Sequence, residues 1–207
     1  MAKMKRPVGD LMSGKLGNVV FVHRNDKSYV RMAPIRKHNN WSEQQIMYRK
    51  RLSSVSQLWR NLKSDLSPYI WNNVTPEMNG YAFFIKTNIQ AFSIDGSLID
   101  PKLIMVSNGH LIKSRNMNVS LASDPDFVDI QWQNDPNLKS ARGFDQLVIQ
   151  TYGEGIFSKP MVTSLPRKDL GGAVLIPKPA PFTKATHIYV FFANEDQNFS
   201  QSDCFEI

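Results

Sequence analysis

Residues 127–133 read FVDIQWQ, a run in which apolar and polar side chains alternate. Because successive side chains of a β-strand point to opposite faces of a sheet, this alternation is typical of a strand with one buried face. Trp132 is the largest apolar residue of the run, and such a residue suits the space between two packed sheets. The stretch therefore predicts a β-sandwich with Trp132 in its core.

Similar short runs surround this strand beyond about residue 100 and are separated by turn residues. They cover 118–123, 144–152, a weaker run near Met161, 173–176, 186–192 and 202–207. Together with 127–133 they predict seven strands, a pattern typical of an antiparallel sandwich of the immunoglobulin or fibronectin kind. We expect Tyr189, Phe191 and the alternate residues of their strand to pack beside Trp132.

The region before the sandwich has helical periodicity. Ser42 and Gln45 have the spacing of a capping box, which starts a helix. The apolar residues that follow recur at steps of three and four, so they share one helix face; they include Leu52, Val55, Trp59 and Leu62. A short second helix begins near Ser67-Pro68, and a third is predicted over about 79–91.

Two strands precede these helices. Asn18 to His23 and Lys27 to Met32 predict a β-hairpin around a turn at Arg24, Asn25 and Asp26. The expected fold class is therefore α+β: an N-terminal β-hairpin plus helices, followed by an immunoglobulin/fibronectin-like antiparallel β-sandwich. We place the basic hairpin and helical module at 1–98 and the sandwich at 99–207.

The segment GDLMSGKLG at 9–17 contains the opening of a phosphate-binding P-loop. Gly9, Gly14 and Lys15 have the required spacing, but the pattern next needs Ser or Thr for the magnesium ion and this chain has Leu16. A P-loop also needs a helix directly after the glycine turn, whereas the following NVVFV favours a strand. We therefore interpret the glycines as a tight turn rather than a nucleotide site.

The positive charge is concentrated at one end of the chain. The formal net charge is +7, but residues 1–70 carry 14 Lys and Arg against 4 Asp and Glu, and residues 71–207 carry 11 against 14. This asymmetry favours an anionic partner for the N-terminal part: nucleic acid, an acidic protein surface or another polyanionic surface.

The sequence offers no constellation that would support an enzyme, a metal or a cofactor. The single cysteine, Cys204, cannot form an internal disulfide and is expected to be a small buried side chain. The four histidines, His23, His38, His110 and His187, have no metal-binding spacing. No stretch has the length of a membrane span, and the N-terminus lacks the apolar core of a secretory signal.

Five segments of the first half follow one another in a fixed order: SGKLGNVVF, RNDKSYVRMAP, SEQQIMYRKRLSSVSQLWRNL, YIW and GYAFFIKTN. In this order, over about residues 13–92, they resemble a widespread, uncharacterised family of bacterial and phage-associated proteins in which a β-sandwich often follows. The resemblance implies an accessory or structural role in phage and prophage regions, and no catalytic residues carry over from it.

The expected function is thus that of a non-enzymatic structural or assembly protein, a phage virion or prophage-derived component that docks through its basic N-terminal module. The expected partners are other structural subunits, including further copies of the chain. The residues expected to contact them are Lys15, Phe21, Arg24, Lys27, Tyr29 and Arg31. The alternative is a nucleic-acid-binding protein that uses the basic hairpin and helix. The expected location is the cytoplasm before assembly and the virion if the chain is phage-encoded.

Overall fold

The computed structural model of the protein describes residues 13–24, 27–35, 41–62, 67–72, 78–137, 140–177 and 184–207. Its contacts divide the chain into two compact units, residues 1–42 and residues 43–207.

The first unit contains a three-stranded antiparallel sheet. Its strands are β1 (Gly14–Leu16), β2 (Val19–Arg24) and β3 (Lys27–Met32), in the order β1-β2-β3. The predicted hairpin is present as β2 and β3, while β1 is a strand that the sequence reasoning had treated as a turn. Gly17 has φ 57, a backbone conformation that glycine adopts without strain, and this allows the short turn between β1 and β2. Asn25 and Asp26, the predicted turn, lie outside the described residues.

The second unit begins with three helices: α1 (Glu43–Leu62), α2 (Ser67–Asn72) and α3 (Gly80–Asn88). Helix α1 starts directly after Ser42, as the capping-box spacing predicts. Helix α3 is capped by Asn79, whose side-chain oxygen accepts a hydrogen bond from the Ala82 backbone N–H at 2.8 Å. A turn of 3₁₀ helix at Ile89–Ala91 continues α3 to the predicted end.

Eight strands follow the helices in the described part of the chain. They are β4 (Arg115–Leu121), β5 (Phe127–Gln133), β6 (Gln146–Gly153), β7 (Ile156–Phe157), β8 (Met161–Pro166), β9 (Gly171–Leu175), β10 (His187–Ala193) and β11 (Asp203–Glu206). Each of the seven predicted runs overlaps one of these strands, and the two-residue β7 is an addition.

The strands form two antiparallel sheets. One has the order β4-β5-β9; the other has the order β11-β10-β6, with β7 and β8 both paired to β6. Of the seven main strands, β8 is the fourth, and it pairs with the third, β6. In a constant-type immunoglobulin domain the fourth strand belongs instead to the sheet of the first, second and fifth strands. The sandwich therefore divides three strands against four, and the α+β class with an immunoglobulin/fibronectin-like sandwich is confirmed.

Trp132 lies in the core between the two sheets, as predicted, and is 3% exposed. Its ring packs edge-on against Phe192 with centroids 5.3 Å apart, and its indole N–H donates to the Arg167 carbonyl oxygen at 3.0 Å. Its apolar neighbours come from both sheets and include Val128, Ile130, Leu147, Ile149, Val174, Ile188 and Val190.

A second core lies on the other face of the larger sheet, which the helices cover. Val55 and Leu58 of α1 and Phe84 of α3 belong to one buried cluster with strand residues that include Val148, Tyr189 and Phe191. Tyr189 and Phe191 therefore face the helices, and the prediction that they pack beside Trp132 is wrong. Strand β10 is apolar at consecutive positions, so alternation alone could not indicate which residues face which partner.

The shared second core also affects the domain boundary. The sequence pattern changes near residue 98, but the compact units of the structure divide after Ser42. Helices α1 to α3 bury their aromatic residues against the outer face of the sandwich, so they belong to the same unit as the strands.

Only the second half of α1 is packed. Val55 is fully buried and Leu62 is 5% exposed, as the helical periodicity predicts. Leu52, also expected in the buried stripe, is 44% exposed, and residues 43–50 are all exposed. The first turns of α1 thus contribute no buried side chain to the second core.

A buried charged pair lies beside the core that contains Trp132 and Phe192. Arg167 is fully buried, and its Nε lies 4.0 Å from an Asp145 carboxylate oxygen. The Arg167 guanidinium stacks over the Phe192 ring at 4.1 Å and donates to the Ile112 carbonyl oxygen at 2.7 Å. Burial raises the pKa of Asp145, while the nearby Arg167 and Arg142 oppose that rise.

We expect Trp132→Ala to lower the free energy of unfolding by about 3–5 kcal/mol, because it leaves a large cavity between the sheets. Phe144→Ala is the matched control, since Phe144 is 67% exposed and its truncation should cost less than about 1 kcal/mol. Urea unfolding of both variants measures the difference. Equal effects would contradict the central position of Trp132.

We expect Asp145 to make the protein less stable as the pH rises. Its pKa in the folded state is above the ordinary 3.8, so the folded protein binds this proton more tightly than the unfolded chain. The free energy of unfolding should then fall between pH 3.8 and the raised pKa. Urea unfolding at several pH values should show a smaller fall in Asp145→Asn.

Asp135→Asn provides the contrasting control for this measurement. The Asn137 backbone N–H donates to the Asp135 carboxylate at 2.8 Å and lowers its pKa. Asp135 should therefore stabilise the protein above its pKa, and that contribution should be lost as the pH falls. A pH profile unchanged by Asp145→Asn would contradict the proposed titration.

Candidate functional site

The N-terminal sheet has two chemically different faces. Residues opposite each other on antiparallel strands share a face, and neighbours along a strand alternate. Two cross-strand rows are apolar, Gly14–Phe21–Val30 and Leu16–Val19–Met32. The row between them is Lys15–Val20–Arg31 and has the opposite parity.

The apolar face consists of Leu16, Val19, Phe21, Val30 and Met32. Leu16 is 68% exposed and Met32 is 69% exposed, and none of the described residues between 13 and 35 is buried. The face ends at a polar pair, because His23 Nδ1 and Ser28 Oγ lie 2.8 Å apart in the next row of that parity.

The basic face carries Lys15 and Arg31, both exposed, on either side of Val20. Val22 and Tyr29 form the next row of this parity. Arg24 and Lys27 form the row after that, again with the same parity. The backbone register thus assigns four basic residues and a tyrosine to positions on the same face of the sheet.

The six predicted contact residues therefore do not form a single surface. Lys15, Tyr29 and Arg31 lie on the basic face, and Arg24 and Lys27 occupy positions of the same parity in the register. The side chains of Arg24 and Lys27 lie outside the described residues. Phe21 is on the opposite face, because its row pairs it with Val30.

Sequence reasoning missed Leu16 and Met32 as members of the apolar face. The two-residue turn at Gly17 and Asn18 places Leu16 opposite Val19. The separate register of β2 with β3 places Met32 opposite Val19. A glycine followed by asparagine between apolar runs is a known hairpin signal, so the sequence did contain this information.

The structure excludes a P-loop at Lys15. Gly14, Lys15 and Leu16 form strand β1, and the next element is strand β2 rather than a helix. Lys15 is therefore not followed along the chain by the helix N-terminus that holds phosphates in a P-loop. Gly9, the first glycine of the pattern, lies outside the described residues.

The titratable side chains are dispersed. Among the described residues, no group of three or more His, Cys, Asp and Glu side chains could hold a metal ion. His187 Nδ1 lies 2.9 Å from the Thr186 hydroxyl, far along the chain from the His23 pair. No helix in the described part of the chain combines the length and apolar character needed to cross a lipid bilayer.

Cys204 lies on β11 opposite Tyr189 of β10. Burial raises the pKa of its thiol to about 11, from an ordinary value of 9.0. The Tyr189 hydroxyl donates to the Pro101 carbonyl oxygen at 2.6 Å. A hydrogen bond between the Tyr189 and Cys204 side chains opposes the rise in the thiol pKa but does not cancel it. The thiolate, which is the nucleophilic form, is therefore disfavoured at neutral pH.

We expect Cys204 to react with an aromatic disulfide reagent at pH 8 on the order of a hundredfold more slowly in the folded protein than in denaturant. The raised pKa reduces the thiolate fraction by that factor. Absorbance of the released thiol measures both rates, and equal rates would contradict the burial of Cys204.

Comparisons with known proteins identify no family. No protein-family model matches the chain, and no curated protein is similar to it. Among solved structures, the chain is similar to the extracellular region of rat CD45, domains d3–d4, with 14% identity over 95% of this chain and 99% of that chain, and a TM-score of 0.30.

Proposed function

We propose that this chain is a non-enzymatic structural or assembly protein that docks through its N-terminal sheet. One observation carries the proposal: the sheet separates apolar and basic side chains by register, yet buries none of them in its described part. A sheet this small gains stability when its apolar face is removed from water. A surface on another molecule would supply that cover.

The partner that best suits the apolar face is a second copy of the same sheet. Leu16, Val19, Phe21, Val30 and Met32 carry no charge, so two such faces would meet without electrostatic repulsion. Two sheets pack face to face at about 10 Å, and a two-fold axis would bring the same residues together from both copies. Both basic faces would then remain on the outside, available to an acidic surface.

The resemblance of residues 13–92 to phage-associated proteins supports a more specific form of this proposal. In that form the chain is a component of a phage virion or of a prophage-derived particle. Residues 43–207, with their two buried cores, would then present an outer surface. The chain would be cytoplasmic before assembly and part of the particle afterwards.

A second candidate function is nucleic-acid binding by the basic face. Lys15 and Arg31 are exposed on one face, and Tyr29 belongs to the same parity. A basic sheet face can follow a phosphate backbone, and each phosphate contact makes the affinity more sensitive to salt. This function would use the face opposite to Phe21.

We expect the full chain to self-associate and the double variant Leu16→Glu/Met32→Glu to remain monomeric. Both side chains are about two-thirds exposed within one chain, so the changes should alter monomer stability little. In the dimer they would lose apolar burial and introduce like charges, raising the dissociation constant by more than about a hundredfold. Sedimentation velocity over a range of protein concentrations measures this.

The matched control is Lys15→Gln/Arg31→Gln, which changes the same two edge strands on the opposite face. It should dimerise like the wild type. A wild type that stays monomeric at all concentrations would contradict self-docking. If that monomer bound duplex DNA, and the control variant lowered the salt slope by about 2, nucleic-acid binding would replace assembly as the function.

A further inference from the structure

A polar cleft of about 390 Å³ lies on the outer face of the β4-β5-β9 sheet, far in sequence from the N-terminal sheet. Its lining is dominated by side-chain amides: Asn116, Asn118, Gln131 and Gln133, with Asp169 and Leu170 at one side. Four amides in one cleft form an unusual concentration of groups that both donate and accept hydrogen bonds.

The sheet register builds this arrangement. Asn118 of β4 lies opposite Gln131 of β5, and Gly171 of β9 lies opposite Gln131 on its other side. A Cβ atom on Gly171 would come within 3.2 Å of Gln131 Cγ and 2.7 Å of the Ile130 carbonyl oxygen. Glycine at 171 therefore leaves room for the Gln131 side chain along the floor of the cleft.

A bulge completes one end of the cleft. The register of β4 shifts between Arg115 and Asn118, and Asn116 there has φ 46. This conformation brings the Asn116 side-chain amide to Gln133, to whose side-chain oxygen it donates at 2.8 Å. Bulges commonly redirect a side chain in this way.

The opposite wall is held by the buried arginine. The turn Arg167–Asp169 leads to Leu170, which has φ 60. The Arg167 carbonyl oxygen accepts from the Trp132 indole N–H at 3.0 Å and from the Asn134 side chain at 3.3 Å. Arg167 is itself fully buried, and its packing holds the neighbouring Asp169 and Leu170 in place.

Two of the amides have no protein partner. Neither the Asn118 nor the Gln131 side chain forms a hydrogen bond to another group in the described part of the chain, although both line the cleft. Each therefore has its donor and acceptor atoms free for a ligand.

The charge of the lining restricts the ligand. Among the described residues no lysine or arginine lines the cleft, so an anionic ligand such as a nucleotide would have no countercharge from them. Asp169 is the one carboxylate that the described lining contains, which is too few for a calcium-type site. Amides without a cation match a neutral ligand that is rich in hydroxyl groups.

We propose that this cleft binds a neutral saccharide, whose hydroxyl groups exchange hydrogen bonds with Asn118 and Gln131. The volume is at the small end of ligand sites, which suits about one or two sugar units. Leu170, 49% exposed, would contact the apolar face of a sugar ring. The proposal is independent of docking by the N-terminal sheet.

The test is titration of the ¹⁵N-labelled full chain with maltotetraose, cellotetraose and chitotetraose, followed by the side-chain amide signals in two-dimensional NMR spectra. At least one sugar should shift the Asn118 and Gln131 signals with a millimolar dissociation constant. Asn118→Ala and Gln131→Ala should each raise that constant about tenfold, because each removes hydrogen bonds to the sugar.

Ser120→Ala is the matched control, since Ser120 lies in the next outward-facing row, opposite Asp129, and outside the cleft. It should leave the dissociation constant unchanged. All three sites are exposed, so the variants should fold like the wild type. If none of the three sugars shifts these signals, or if the two amide variants bind as tightly as the control, the proposal is wrong.

Discussion

Burial of the paired strands β6 and β10 on both faces is the constraint on which the 43–207 unit depends. On one face Ile149 and Phe192 meet the smaller sheet, and on the other Val148 and Phe191 meet the helices. Every backbone polar group between two apolar layers must be paired, and the ladder between these strands runs unbroken through seven residue pairs. This ladder pairs the backbone groups that face each other between the two strands, so the helices and the smaller sheet can pack on opposite faces of the pair.

The sequence predicts where the strands lie better than it predicts which layer each strand face packs against. Alternation along 127–133 places Trp132 in the core, because one face of β5 is apolar and the other polar. The same reasoning fails for β10, where consecutive apolar residues give no parity to follow. The continuous apolar character of β10 is itself a signal of burial on both faces, and it could have indicated a third layer and a boundary earlier than residue 98.

The N-terminal sheet shows a related limit at the candidate site. Composition identified Lys15, Tyr29 and Arg31 together with Phe21, because basic and aromatic residues are close in sequence. The row of Phe21 lies between the rows that contain Arg31 and Tyr29. Because neighbouring residues of a strand point to opposite faces of the sheet, Phe21 lies on the face opposite to theirs. Two chemically opposed surfaces on one thin sheet mean that an apolar and an anionic partner could be engaged at the same time without competing for space.

The two-sided strand pair also affects how the protein is made. The helices that carry Trp59, Trp71 and Phe84 leave the ribosome about 100 residues before β10, a delay on the order of 5–20 s at ordinary translation rates. Strands β6 and β7 emerge within this interval and supply Val148 and Phe157, but Tyr189 and Phe191 of β10 are still missing from the layer. A chain that stops before β10 therefore leaves part of this aromatic layer uncovered.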